Sequence, residues 1–228
     1  MTRCPTRSCV HGFTLLELLV VVGLIAVFAV VIGTGSSGGG KSAALGAAQV
    51  TVANAMVATR MRAVSSGHAA RLLVNSDVTS PERFLRQLVV QEFNPATGFW
   101  ASKMELSLPE GAYILPQQNK TPSGLLEGDV LWKKADGATV LHSSIFSDPA
   151  IAQSINETRA EMWVAIEYNY RGTSTNSGAI VIAGGQSRPP GSFPANESPV
   201  RLTDPANVRG LSVSSYGMVT YLNGREAF

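Results

Sequence analysis

Eight residues, Gly35-Ser36-Ser37-Gly38-Gly39-Gly40-Lys41-Ser42, satisfy the phosphate-loop pattern G-x-x-x-x-G-K-[ST] at every position. In a working loop of this kind, backbone amides cradle phosphates and the Ser hydroxyl helps to hold magnesium. That chemistry needs a buried strand before the loop, a helix after it, and an alternating βαβ plan around both. Here the preceding apolar run is too long and continuous for a strand. No run of four aliphatic residues ending in Asp follows, and the βαβ alternation is missing. A Gly/Ser-rich segment meets the pattern easily by chance, so the letters alone do not make a nucleotide site.

The other reactive residue types are sparse. Beyond the first dozen residues only His68 and His142 remain, and His142 stands beside Ser143-Ser144. No G-x-S-x-G nucleophile elbow accompanies them, so no hydrolytic role is assigned. Asp148, Asp204 and Asn207 offer oxygen atoms of the kind calcium prefers. They lack the D-x-[DN]-x-[DN]-G spacing, and turn capping is the expected use. Cys4 and Cys9 are the two cysteines, at a spacing of neither a zinc knuckle nor a C-x-x-C redox pair. The sequons Asn156-Glu157-Thr158 and Asn196-Glu197-Ser198 read as chance. No metal and no cofactor is expected. A net charge of +2 without a basic run gives no reason to expect a nucleic-acid partner.

The elements that would position any chemistry begin with the N-terminus. Residues 1–12 carry Arg3 and Arg7 and no acid, and residues 13–32, FTLLELLVVVGLIAVFAVVI, carry one charge, Glu17. A helix over those twenty residues is about 30 Å long, enough to cross the hydrocarbon core of a bilayer. The arginines before it predict a cytoplasmic N-terminus with the rest of the chain outside. A secretory signal peptide would have a shorter apolar region and a small-residue cleavage site, which GTGSSG loosely supplies. A plain membrane anchor accounts for length and charge bias. Neither accounts for Glu17, whose burial mid-membrane would cost about 2.5–3.5 kcal/mol.

The stretch Gly12-Phe13-Thr14-Leu15-Leu16-Glu17 resembles the processing site of type IV prepilins and type II secretion pseudopilins. The elements of that site are a basic leader ending in Gly, a Phe, a Glu at the fifth mature position and an unbroken apolar run. The resemblance implies cleavage between Gly12 and Phe13 by a membrane-bound prepilin peptidase and methylation of the Phe13 amine. It also implies that Glu17 pairs with the N-terminal amine of a neighbouring subunit, setting axial register and neutralising two charges in an apolar bundle. Its further partners are other pilin or pseudopilin subunits and the inner-membrane assembly machinery. The presence of Glu17 argues against the tip-located pseudopilin type, which lacks it. Removing Arg3 and Arg7 with the leader leaves 16 basic residues against the 16 acidic ones.

Beyond residue 32 the reading is architectural. Residues 33–42 predict a flexible break, because each Gly costs a helix about 1 kcal/mol relative to Ala. Residues 43–66 read as helical again. Leu45, Val52, Met56 and Ala63 fall on one face, extended by Val50, Val57, Met61 and Val64, all expected to pack across a sheet. Arg60 and Arg62 suit the helix C-terminus and Gly67 its stop. The passage TRMRAVSSGHAARLLV also loosely resembles that of H-type minor pseudopilins.

Strands are expected at 70–75, 84–93, 100–108, 129–134, 161–170, 178–184, 199–204, 211–215 and 218–223. A hairpin is expected at 89–106, a closing hairpin at 210–224, a short helix at 147–161 and an exposed loop at 184–199. Trp100, Trp132 and Trp163 are expected in the core.

The expected fold is α+β. An N-terminal hydrophobic helix, with a transmembrane half, a Gly-rich break and a soluble half, packs on a mostly antiparallel β-sheet head. The divisions are 1–12 leader, 13–32 transmembrane and filament-core helix, 33–42 hinge, 43–67 soluble half-helix and 68–228 head. Two functions follow: a non-enzymatic, minor structural subunit of a pilus or pseudopilus, or a membrane-tethered extracytoplasmic binding protein or enzyme that never polymerises. The inner membrane, with a periplasmic head, is the expected location.

Overall fold

The structure, a computed structural model, describes residues 15–128, 132–134, 137, 139–147, 150–155 and 159–228, with backbone alone at Leu16, Glu17 and residues 25–39. The chain divides into two compact units, Met1–Gly40 and Lys41–Phe228. Helix α1 spans Leu15–Ser66 and runs through residues 33–42 without interruption. The expected break is therefore corrected. Glycine lowers helix propensity but keeps its N–H donor, and no proline lies in this stretch to remove a bond of the i→i−4 ladder. Among the described residues no helix is long and apolar enough to cross a membrane. Part of the expected span 13–32 lies outside the described residues.

Within the second unit, α1 packs on two antiparallel sheets. The first has strand order β3-β2-β1-β6-β5, with β1 Ala70–Asn75, β2 Gln87–Asn94, β3 Phe99–Ser107, β5 Ile151–Gln153 and β6 Glu161–Tyr168. The second has order β4-β7-β8-β9, with β4 Ala112–Ile114, β7 Gly178–Ser187, β8 Val200–Val213 and β9 Val219–Asn223. Both expected hairpins form, β2–β3 and β8–β9.

The period-2 alternation of strands sorts the core into layers. Leu72 and Val74 of β1 join Leu45, Val52 and Met56 of α1, with Ile180, Ile182 and Leu211 of the second sheet, in one cluster. Leu73, one residue out of phase, turns to the other face with Val89 and Trp163. Val181, Ala183 and Leu202 cover the outer face of the second sheet with Trp132 and Leu141.

Four departures from the expected elements have local causes. The short helix at 147–161 is absent from the described part of that segment: Ile151–Gln153 is a strand paired to β6, with Ile151 opposite Trp163. Strand β2 starts at Gln87 because Leu85 is left-handed, at φ 56°. Its amide donates to Asn75 and its carbonyl accepts from Ile114, which fixes the turn. The segments 199–204 and 211–215 fuse into β8, since Ala183 pairs Val208 while Gly184 pairs Asp204, and residues 205–207 bulge out. Residues 129–131 of the expected strand at 129–134 lie outside the described residues. Lys133 forms an isolated bridge with Val140.

Candidate functional site

Helix α1 begins at Leu15. Gly12 and Phe13 lie outside the described residues, and Glu17 sits in the first turn of α1. Every residue from Leu18 to Leu24 is exposed, on all sides of the helix. Leu18, Leu19 and Val22 stand at 60, 66 and 56 % exposure. An apolar surface around a whole helix finds no favourable contact in water.

In the second unit the helix is anchored by polar contacts as well as by its apolar face. Gln49 is buried, and its Nε2 donates to the carbonyls of Gly210 and Leu222 at 2.8 and 3.0 Å and to Asn223 Oδ1 at 3.3 Å. Arg60 Nε donates to Gly172 O at 3.0 Å, and Arg62 pairs Glu92 at 3.4 Å. These arginines bind the head, where the sequence suggested interaction with the helix dipole. Gly67, at φ 72°, ends the helix as expected. Leu45, Val52, Met56 and Ala63 are buried as expected. Val50, Val57, Met61 and Val64 correct the expectation, being 46–66 % exposed. The face recurring every three to four residues is narrower than the helix's apolar surface, so two apolar stripes read as one.

The reactive candidates of the head are absorbed by the fold. Ser143 Oγ accepts from the Val181 amide and Ser144 Oγ from the Ala179 amide, while His142 Nδ1 bonds Val140 O at 2.8 Å. The hydroxyls beside His142 thus serve the edge of β7, and no nucleophile–base pair forms. His68 is exposed, and its amide bonds Ser66 Oγ. Asp204 Oδ1 caps the Asn207 amide at 3.2 Å, as a turn residue does. Asp148 and the first sequon lie outside the described residues. In the second sequon Ser198 is buried, and its hydroxyl donates to Val200 O. Among the described residues no three His, Cys, Asp or Glu side chains gather as a metal would need. Residues 35–42 are helical, so the phosphate-loop letters do not form a loop.

A cleft of about 630 Å³ opens at the loops after β1, before β6 and after β7, lined by Arg83, Arg159 and Arg188. Its arginines each meet a carboxylate. Glu161, 3 % exposed, lies 3.3 Å from Arg83 and 3.9 Å from Arg159, and accepts from Asn75 and from Ser80 Oγ. Arg188 pairs Glu197 at 3.0 Å. Burial pushes the Asp77 carboxyl up, but hydrogen bonds from Thr79 and the Met162 amide, with the Arg159 charge, hold it below its ordinary value. The Glu161 network ties the loop after β1 to the segment before β6. Trp132 and Trp163 are buried, each with its indole N–H on a carbonyl. Trp100 is only half-buried and lies under the Arg71 guanidinium at 4.1 Å.

Two features went unread in the sequence. One is the exposed stripe on α1. The other is the surface formed by Tyr216 with Tyr170 and Met218, the last two expected at the ends of the strands 161–170 and 218–223 and found just outside β6 and β9. No curated protein and no solved structure is found to match the chain. A family model described as the prokaryotic N-terminal methylation motif matches residues 7–33. The chain therefore carries the N-terminal signal of type IV pilins and pseudopilins, at the head of an α+β fold whose helix packs on antiparallel sheets.

Proposed function

We propose that the chain is a structural subunit of a type IV pilus or type II secretion pseudopilus, of the minor type and loosely resembling H-type minor pseudopilins. It is made with residues 13–32 across the inner membrane, its N-terminus cytoplasmic and its head periplasmic. Prepilin peptidase cuts between Gly12 and Phe13 and methylates Phe13. The inner-membrane assembly machinery then draws the subunit into a filament with other pilin-like subunits. The motif match at residues 7–33 carries this reading. The all-round exposure of Leu18–Leu24 supports it, since that surface needs lipid or neighbouring helices.

Glu17 is the register charge. Cleavage creates an amine on Phe13, and a carboxylate four residues on supplies the opposite charge to the amine of a neighbour. In a low-dielectric bundle an uncompensated carboxylate costs several kcal/mol, so only the register that pairs it is favoured. A Glu17→Ala variant is expected to be processed normally and to stay out of sheared or purified filaments. Normal incorporation of that variant would remove the register role. Purification of the processed wild-type chain only as a membrane-tethered monomer would favour the non-polymerising reading.

A further inference from the structure

Three elements converge beside the C-terminal end of α1. The turn after β6 meets the turn after β8 through the Ser174 amide, which donates to Ser215 O at 3.0 Å. Gly217 is left-handed at φ 73°, and a Cβ there would collide with the Gly172 carbonyl. A Cβ on Gly172 would lie 2.8 Å from Val64 Cγ2. Arg60 stitches the junction from the helix side, reaching Gly172 O at 3.0 Å and Met218 Sδ at 3.8 Å.

The surface of this junction is apolar, aromatic and cationic. Met61 and Val64 of α1 are 66 and 53 % exposed, and Tyr170, Tyr216 and Met218 of the two turns are 53, 74 and 58 % exposed. Within it stand two arginines with neutral partners. Arg60 bonds a carbonyl and a thioether, and Arg171 bonds the Tyr170 hydroxyl at 3.0 Å and stacks over its ring at 5.3 Å. Among the described residues neither forms an ion pair, whereas Arg62, Arg83, Arg159, Arg188 and Arg201 each meet a carboxylate; Arg71, Arg86, Arg209 and Arg225 also bond neutral partners, away from this surface. Tyr, Met and Arg together around an apolar centre are the composition of binding hot spots.

We propose that this junction docks a neighbouring protein subunit that presents an apolar ridge flanked by carboxylates, which pair with Arg60 and Arg171. Two unmatched cations set the charge of the occupant. A second copy meeting the patch about a twofold axis would bring four arginines together, which like-charge repulsion opposes. The docking rests on the reading of the chain as an assembling subunit, and it uses the head rather than the Glu17 end of the helix.

The test is site-specific photocrosslinking in cells that express the full chain with the other subunits of its assembly. A benzophenone amino acid replaces Tyr216, and adducts are identified by mass spectrometry. The expected adduct maps to another subunit at a segment carrying Asp or Glu. Arg171→Glu lowers its yield by at least roughly tenfold, and reversing the mapped carboxylate to Arg restores it. Arg171 is exposed and touches Tyr170, so its variant keeps the wild-type melting curve. No adduct, an adduct only to lipid, an adduct only to a second copy, or a yield indifferent to Arg171→Glu would overturn the proposal. The N-terminus is read in the same sample. A mature Phe13 without the expected adduct overturns the docking alone, whereas an intact Met1 overturns the underlying reading with it.

Discussion

Gln49 joins the helix to the second sheet at a place where apolar packing has no substitute. Its amide reaches two strand carbonyls at 2.8 and 3.0 Å and Asn223 Oδ1 at 3.3 Å, and the side chain is 3 % exposed. Met matches the length of Gln and fills its volume but donates nothing. Gln49→Met therefore removes the hydrogen bonds and leaves their acceptors under the helix. Each net bond contributes about 0.5–1.5 kcal/mol, and the two short ones together give an expected loss of about 2 kcal/mol. Gln49→Ala adds lost apolar contact and a small cavity and should cost about 3–4 kcal/mol. Guanidinium unfolding of the full chain in detergent, followed by the fluorescence of the buried Trp132 and Trp163, reads both values. Asn54→Met on the exposed side of the same helix is the control and should stay within about 0.5 kcal/mol of wild type. A Gln49→Met variant as stable as that control would refute the claim that this amide anchors the helix.

Two further outcomes follow from the head and the helix. Burial pushes the Tyr168 phenol up to about 12, and its hydroxyl is buried without a partner among the described residues. The unfolded phenol titrates near about 10, so the contribution is intact below that pH and is lost as pH rises toward 12, a total of roughly 2–3 kcal/mol. Tyr168→Phe should leave stability at pH 7 unchanged or slightly higher and flatten the alkaline decline. Melting curves between pH 9 and 11.5 that decline equally in both proteins would contradict this. In α1, Gly38→Ala and Gly39→Ala should each slow amide exchange across residues 33–42 by about fivefold, matching about 1 kcal/mol of helix propensity. Unchanged exchange would mean that those residues are not in a helix–coil balance.

The N-terminal signal was legible because type, spacing and charge act together within six residues, Gly12 to Glu17, and need no tertiary context. Most strands were legible because apolar residues alternating with polar ones leave a period-2 trace, as in β3, where Met104 and Leu106 alternate with the exposed Lys103, Glu105 and Ser107. The break at 33–42 was misread because propensity is a weak local term that flanking helix can override, as the uninterrupted α1 reports. The strand at Ile151–Gln153 was misread for a related reason: three residues carry no period, and pairing with β6 decides their state. The stripe of Val50, Val57, Met61 and Val64 was assigned to the core because hydrophobicity does not say which apolar face has a partner. The charge network around Glu161 joins Asn75, Ser80 and Arg83, at the end of β1 and in the loop after it, to Arg159 before β6, which no spacing in the sequence announces.

The central claim concerns the first bond the cell would cut. The full chain, co-expressed with a prepilin peptidase, is purified and its N-terminal peptide is read by mass spectrometry. The account predicts a mature chain that begins at Phe13 and carries one methyl group on the amine. An intact Met1, or cleavage after residue 33, would contradict it.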